Sequence, residues 1–301
     1  MSKADLESVR VPASRLRMSG RWLELSVPRV MGILNVTPDS FSDGGLLSAG
    51  GASQFKVSLD KALFAVQSMV SAGADIIDVG GESTRPGAPE VSENQELERV
   101  IPVVTAIRAN FDVLISVDTS TPSVITASAI AGADMINDVR ALQRPGALEA
   151  AAATDLAVCL MHMQGEPQFM QQAPSYSDVL IDVSSFLSVR KSICELAGIH
   201  PDRICLDPGF GFGKTLAHNY QLLSRLHDMH ALGSPLLIGL SRKSMIGAVL
   251  GAPAADRLAG SLAGAVLAAA AGAQIIRVHD VEPTVHALQV LSALRNAGQD
   301  R

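Results

Sequence analysis

The sequence predicts an α/β protein, a (β/α)8 or TIM-type barrel, from three observations. Eight largely uncharged runs of strand length alternate with segments of helical periodicity. A short repeat marks the turn from helix to strand in three places, and polar residues gather at the far ends of the runs. Strands apolar on both faces belong to parallel sheets covered by helices. A chain of 301 residues with no composition break or linker suits one barrel. Residues 1–29 are read as an N-terminal extension and hairpin, and 30–301 as the single barrel domain.

Each element follows from local pattern. Leu16 to Val27 partly alternates apolar and polar residues about Ser19-Gly20, as a short hairpin does, and its predicted place is the bottom of the barrel. Val30 to Val36 is the first barrel strand and ends on one amide, Asn35. Thr37 and Pro38 stop it, and the polar loop to Gly45 carries a single aromatic, Phe41. Leu59, Leu63, Val66 and Val70 recur at helical spacing, with Gly73 as the stop. The second strand, Ile76 to Gly81, exits through GESTRPGAPE, where Thr84 and Arg85 stand among glycines and prolines. Ser92 and Gln95 form a capping box, and Pro102 predicts a kink or a late helix start.

The third strand, Val113 to Thr119, carries Asp118; Thr121 then caps a helix with Pro122 at its first position and Gly132 at its end. Asp134 to Val139 carries Asn137 and Asp138. Leu156 to Met163 leads into a polar loop, Arg203 to Pro208 into GFGFGKT, and Pro235 to Ser241 into RKS. Gln274 to Asp280 completes the eight. The repeat is Ala72-Gly73-Ala74-Asp75-Ile76, Ala131-Gly132-Ala133-Asp134-Met135 and Ala271-Gly272-Ala273-Gln274-Ile275, each a helix end, a turn and a buried strand.

Composition removes several functions. Lys plus Arg number 24 against 30 Asp plus Glu, which leaves no basic field for nucleic acid. Cys159, Cys194 and Cys205 lack CxxC spacing and read as core fillers. The N-terminus has no apolar core or cleavage pattern, which argues against secretion and for the cytoplasm. Leu258 to Ile276 is nearly long enough to span a bilayer, but its Ala and Gly content, with Gly272 and Gln274, favours a buried helix followed by a strand. No membrane segment is expected.

In a barrel the active site sits at the C-terminal ends of the strands. Those ends present Asn35, Thr84, Arg85, Asp118, Asn137, Met163, Asp207, Ser241 to Lys243, Arg277 and His279. Carboxylates, amides and cations in one mouth suit a ligand with a hydrogen-bonding heterocycle and a strongly anionic group. Asp118 and Asp207 suit paired N–H donors, while Asn137 and Lys243 suit ring acceptors. Lys243 alone also fits a Schiff-base lysine. Gly209 to Thr215 fails the phosphate-loop spacing because Pro208 stands where the first Gly is required. It reads instead as a turn that faces Phe212 toward the ligand, with the role of Lys214 open. His162, His218, His227 and His230 have no metal spacing and read as structural or surface residues.

The segments MGILNVTPDSFSDGG, IDVGGESTRPG, ISVDTS, INDV, LMHMQG, LDPGFGFGKT, GLSRKSMIG and RVHD, in that order, resemble the dihydropteroate synthase family from about Val30 to the C-terminus. The resemblance implies condensation of 6-hydroxymethyl-7,8-dihydropterin diphosphate with 4-aminobenzoate, giving 7,8-dihydropteroate and diphosphate. It implies pterin binding by Asp118, Asn137, Asp207, Lys243 and Met163. Diphosphate binding falls to Asn35, Thr84, Arg85, Arg277 and His279, with Asn35 also a ligand of Mg2+. The aminobenzoate site is Phe41, Thr84, Pro86, Phe212 and Ser241.

Under that reading Arg85, Lys243, Arg277 and His279 are catalytic through stabilisation of leaving-group charge, and the C–O bond breaks before the weak aniline nucleophile attacks. Asp43 is a candidate for stabilising the cation or orienting the amine. The loops Thr37 to Gly45 and Gly81 to Pro89 are expected to close over the site. A homodimer and competition by sulfonamides are further implications. Two rivals share the barrel: one that presents methyltetrahydrofolate to a corrinoid protein, and a non-catalytic homologue. The first has no use for a diphosphate site, and the second is expected to lack some of Asn35, Arg85, Asp118, Lys243 or His279.

Overall fold

The computed structural model describes residues 13–37, 57–82, 91–165, 170 and 174–299. A hairpin, β1 (Arg15–Met18) and β2 (Arg21–Glu24), precedes the barrel strands β3 (Arg29–Asn35), β4 (Ile76–Gly80), β5 (Leu114–Asp118), β6 (Met135–Asp138), β7 (Ala157–Met161), β8 (Ile204–Asp207), β9 (Leu237–Ile238) and β10 (Ile275–Val278). The barrel strands are all parallel and pair in the order β8-β7-β6-β5-β4-β3-β10-β9. A parallel bridge between Leu206 and Leu236 joins the two ends and closes the ring.

Among the described residues nine α-helices surround or cap it: α1 (Leu59–Ser71), α2 (Glu93–Asn110), α3 (Pro122–Ala131), α4 (Ala147–Ala152), α5 (Val179–Leu196), α6 (Leu216–Ser224), α7 (Ser244–Leu250), α8 (Leu258–Ala270) and α9 (Val281–Gln299). The repeat works as a chain-reversal device: Gly73, Gly132 and Gly272 adopt φ of +95°, +95° and +99° where the helix hands over to a strand. Helix α8 buries Ala265, Ala268 and Ala269 in the core between strands and helices.

Two cores result from the period-2 alternation of the strands. Outward residues such as Val30, Ile77, Val117, Ile136, Val158, Leu206 and Ile276 join the helices in the larger core. Inward residues at the strand beginnings, among them Met31, Ile76, Met135, Cys159, Cys205, Leu237 and Ile275, form a second cluster with Leu16, Met18, Leu23 and Leu25 of the hairpin. The hairpin is therefore the floor of the barrel. Its turn needs positive φ at both central residues, and Ser19 (45°) and Gly20 (82°) supply it. Arg21 fastens it by ion pairs to Asp112 and Asp134, the latter also held by Arg108 and the Ile115 amide.

Several boundaries differ from expectation for physical reasons. Strand β9 keeps only two ladder residues, Leu237 and Ile238, with Leu236 making the closing bridge before them and Gly239 outside the ladder after them. Strand β7 stops at Met161, which leaves Met163 in the loop beyond it. Helix α2 starts at Glu93 behind a full Ser92–Gln95 capping box, well before Pro102, so no late start occurs. Thr121 occupies the N-cap of α3 but makes no capping bond; its hydroxyl donates to Glu96 at 2.6 Å instead.

The floor predicts a measurable cost for its removal. Leu16 is fully buried in the second cluster. Leu16→Ala is expected to destabilise the protein by about 2–5 kcal/mol in chemical denaturation, with the strand framework retained.

Candidate active site

Following the inward face upward from the floor, apolar residues give way to polar ones within one or two steps. Strand β4 presents Ile76, Asp78 and Gly80 in turn; β5 ends on Asp118, β6 presents Asn137, β8 Asp207 and β10 Arg277. Asn35, Gly80, Asp118 and Asn137 are successive register partners across four strands and make a single row at the mouth. Gly80 keeps that row compact: a Cβ there would meet Asn35 Oδ1 at 3.5 Å and Asp118 Cβ at 3.8 Å.

Arg277 bridges the acids. Its Nε donates to Asp78 Oδ2 at 2.7 Å and an Nη donates to Asp118 Oδ2 at 2.9 Å. Asn137 Nδ2 also donates to Asp78 Oδ2, at 3.3 Å. Burial alone would lower the Arg277 pKa, but Asp78 and Asp118 outweigh it and hold the guanidinium above its usual range. Burial pushes the Asp118 carboxyl up to about 7, with Arg277 opposing and Asp78 adding to the rise. Asp207 is likewise raised by burial, against the pull of Lys243. Its Oδ1 accepts from the Gly209 amide at 2.7 Å, which ties the strand end to the glycine-rich loop.

On the opposite side Lys243 donates to the Phe210 carbonyl and lies 4.8 Å from the centre of the Phe212 ring. Burial brings its pKa down to about 8, with Asp207 opposing. Lys243 is the N-cap of α7 and follows Arg242, whose φ of +59° is strained for a non-glycine. Bonds to Ser261 Oγ and the Asp280 carboxylate hold Arg242 in place. Ser241 and His279 pair through Oγ and Nδ1 at 3.0 Å, and the His279 amide donates to the same hydroxyl.

Lys214, whose role the sequence left open, is a loop organiser. It is 3% exposed, and its Nζ reaches the carbonyls of Gly209 (2.9 Å), Phe212 (3.1 Å) and His162 (3.4 Å) as well as His162 Nδ1 (3.0 Å). Burial, with Lys214 beside it, pushes the His162 pKa down to about 3, so this ring is a neutral acceptor. Gly209 makes the close approach possible: its φ is +70°, and a Cβ would sit 1.9 Å from the His162 carbonyl oxygen.

The structure thus gathers Asn35, Asp118, Asn137 and Arg277 in one cluster, Asp207 with the loop, Lys243 with Phe212, and Ser241 with His279. Met163 lines a cavity of about 380 Å3 together with Met161, Val139, Phe186, Glu82, Arg140 and Arg144. Phe41, Asp43, Thr84, Arg85 and Pro86, and most of the two loops that carry them, lie outside the described residues. Among the described residues no group of three or more His, Cys, Asp or Glu could hold a metal. Sequence reading missed Asp78, and the signal was an acid two residues from Ile76 and Gly80 inside an apolar strand.

Fold and site together define a barrel whose mouth gathers buried acids, an amide and cations at the strand ends. A family model described as pterin binding enzyme matches residues 31–279. The dihydropteroate synthase of Escherichia coli (strain K12) is 56% identical over 287 residues, covering 95% of this chain and 99% of that protein. The crystal structure of Yersinia pestis dihydropteroate synthase in a sulfonamide drug complex shares 57% identity at a TM-score of 0.87, covering 94% of this chain and 99% of that one. The Xanthomonas albilineans dihydropteroate synthase with 4-aminobenzoic acid shares 48% identity at a TM-score of 0.85, covering 94% and 98%. The chain belongs to the dihydropteroate synthase family of pterin binding enzymes, and so to the transferases.

The close approach at Gly209 is directly testable. Gly209→Ala forces strain at a positive φ and a clash with main chain, with an expected cost of about 1–3 kcal/mol. A lowered denaturation midpoint, with disturbance of the Tyr176 hydroxyl bond to the Gly213 carbonyl seen as altered tyrosine fluorescence, would show it.

Proposed function

We propose that this chain condenses 6-hydroxymethyl-7,8-dihydropterin diphosphate with 4-aminobenzoate to give 7,8-dihydropteroate and diphosphate in folate biosynthesis. The observation that carries the reading is the buried row of Asp118 and Asn137 beside Asp78, Asp207 and Lys243, joined at the mouth to Arg277. Similarity to relatives solved with 4-aminobenzoic acid and with a sulfonamide supports the second substrate and its competitors.

In this reading the carboxylates of Asp118 and Asp207 accept the ring's N–H donors, and the Lys243 ammonium donates to ring acceptors. Asn137 spends one N–H on Asp78, which leaves its second N–H and its oxygen for the ligand. Arg277 and His279 face the departing diphosphate. Phe212, held by the Lys214-organised loop, and Ser241 flank the aniline ring. Arg85 and Thr84 complete the diphosphate site, and Phe41 and Pro86 the aminobenzoate site. Cleavage of the C–O bond precedes C–N bond formation, because the electron-rich dihydropterin spreads the positive charge on its methylene. Asp43 stabilises that charge or orients the amine.

Mg2+ is part of the proposal. Magnesium favours oxygen ligands and is held mainly by substrate phosphates, water and one or two side chains. Asn35, whose amide oxygen stands at the mouth, fits that sparse requirement, and the described residues hold no dedicated cage. When bound, the ion would neutralise charge on the diphosphate oxygens.

A homodimer in the cytoplasm completes the reading. No described helix is long and apolar enough to cross a membrane. The exposed side chains of Leu216 and Tyr220 on α6, Val249 and Leu250 on α7 and Leu258 and Leu267 on α8 support an apolar subunit contact.

Diphosphate release by the purified protein should require the pterin diphosphate, Mg2+ and 4-aminobenzoate, with dihydropteroate as the second product. Lys243→Ala should lower kcat/KM by about 100-fold or more. Binding of the pterin without any product would overturn the synthase reading. Asp118 adds a pH signature. A raised carboxyl pKa means that the accepting, ionised form is present above about 7 and is lost as pH falls through it. Affinity for 6-hydroxymethylpterin should therefore weaken up to about tenfold per pH unit below 7, and Asp118→Asn should flatten the profile.

A further inference from the structure

We propose that Asp78 is a positioning residue of this site: it anchors the Nε edge of Arg277 as a pivot, so that a ring ligand taking Asp118 frees the outer edge of the guanidinium for diphosphate. The proposal rests on the synthase reading above and deepens it.

Asp78 is fully buried, midway up β4, with Ile76 of the floor below and Gly80 of the ligand row above. A carboxylate buried only for stability would spend both oxygens. Here Oδ2 accepts from both Arg277 and Asn137, while Oδ1 has no hydrogen-bond partner. Its register partner across the sheet, Ser116, is also buried with an unpartnered hydroxyl. This layer therefore carries unspent hydrogen-bonding capacity directly beneath the row assigned to the heterocycle.

The two contacts of Arg277 are of different kinds. Asp118, reached by an Nη, is a carboxylate that the heterocycle needs for its own N–H donors. Asp78, reached by Nε, lies one layer deeper and is not in competition. Ring binding thus draws Asp118 away from one Nη, and the Nε contact keeps the guanidinium from swinging into solvent. The Nη groups, which belong to a planar five-donor fork, are then directed at oxygens in the mouth. The same oxygen of Asp78 also accepts one N–H of Asn137, a contact that the amide oxygen of the Asp78→Asn variant retains. Heterocycle recognition and diphosphate recognition are coupled through one buried acid.

The test measures binding of two probes, 6-hydroxymethylpterin and its dihydro diphosphate with Mg2+, by calorimetry, together with steady-state kinetics. Asp78→Asn preserves shape and removes the charge. It should keep pterin affinity within about threefold, lose at least tenfold of the extra affinity conferred by diphosphate, and lower kcat at least tenfold with the aminobenzoate KM unmoved. Arg277→Gln should show the same selective loss, and the double variant should lose no more than either alone. Equal loss for both probes, or additive losses, would overturn the pivot. Arg277→Lys keeps a charge but has no Nε fork, so it tests the idea even where Asp78→Asn does not fold. Wild-type behaviour of Arg277→Lys would also overturn it. Wild-type protein that binds the pterin but gains nothing from diphosphate would instead overturn the synthase reading.

Discussion

The Arg277 guanidinium between Asp78 and Asp118 is the interaction on which the upper half of the barrel depends. Two carboxylates within reach of one cation can be buried together, whereas either alone would be costly. The arrangement keeps acids inside a mouth otherwise walled by apolar strands. Around it the remaining charges are placed in register: Asp207 reaches the loop amide of Gly209, and Lys243 lies near enough to Asp207 to feel its field.

That polar layer is affordable because the layer beneath it is closed. The hairpin fills the lower lumen with Leu16, Met18, Leu23 and Leu25, and the strand beginnings meet it with Met31, Ile76 and Ile275. Apolar side chains therefore occupy the lumen below the acids. The helices seal the outside of the strands through a separate core, so the same strand serves two environments on alternate residues. A one-residue slip of β4 would exchange Asp78 with Ile77 and put a carboxylate among the helices, which makes the register strongly specified.

Much of this was legible in the chain because barrel strands are short and their ends are exposed by pattern. Asn35, Asp118, Asn137 and Asp207 stand out as polar groups ending apolar runs, and the Ala-Gly-Ala repeat marks where helices turn back. Asp78 was not legible in that way, since it sits inside its run and its partner Arg277 is far along the chain. Lys214 was opaque for the same reason: its acceptors include His162, on another strand end. Thr121 looked like a cap, but the buried Glu96, raised by its burial, makes a stronger claim on the hydroxyl.

The loop organised by Lys214 has a consequence for how such a site can diversify. Its path is set by main-chain carbonyls converging on one ammonium, and the Phe212 side chain takes no part in that convergence. The ring at position 212 can therefore be exchanged for one of other size or polarity while the loop stays put, whereas Phe210, fully buried in the outer core, is fixed by its packing. The course of the loop and the ring it carries at position 212 are thus separable, so a change of ring leaves the bonds that shape the loop unbroken.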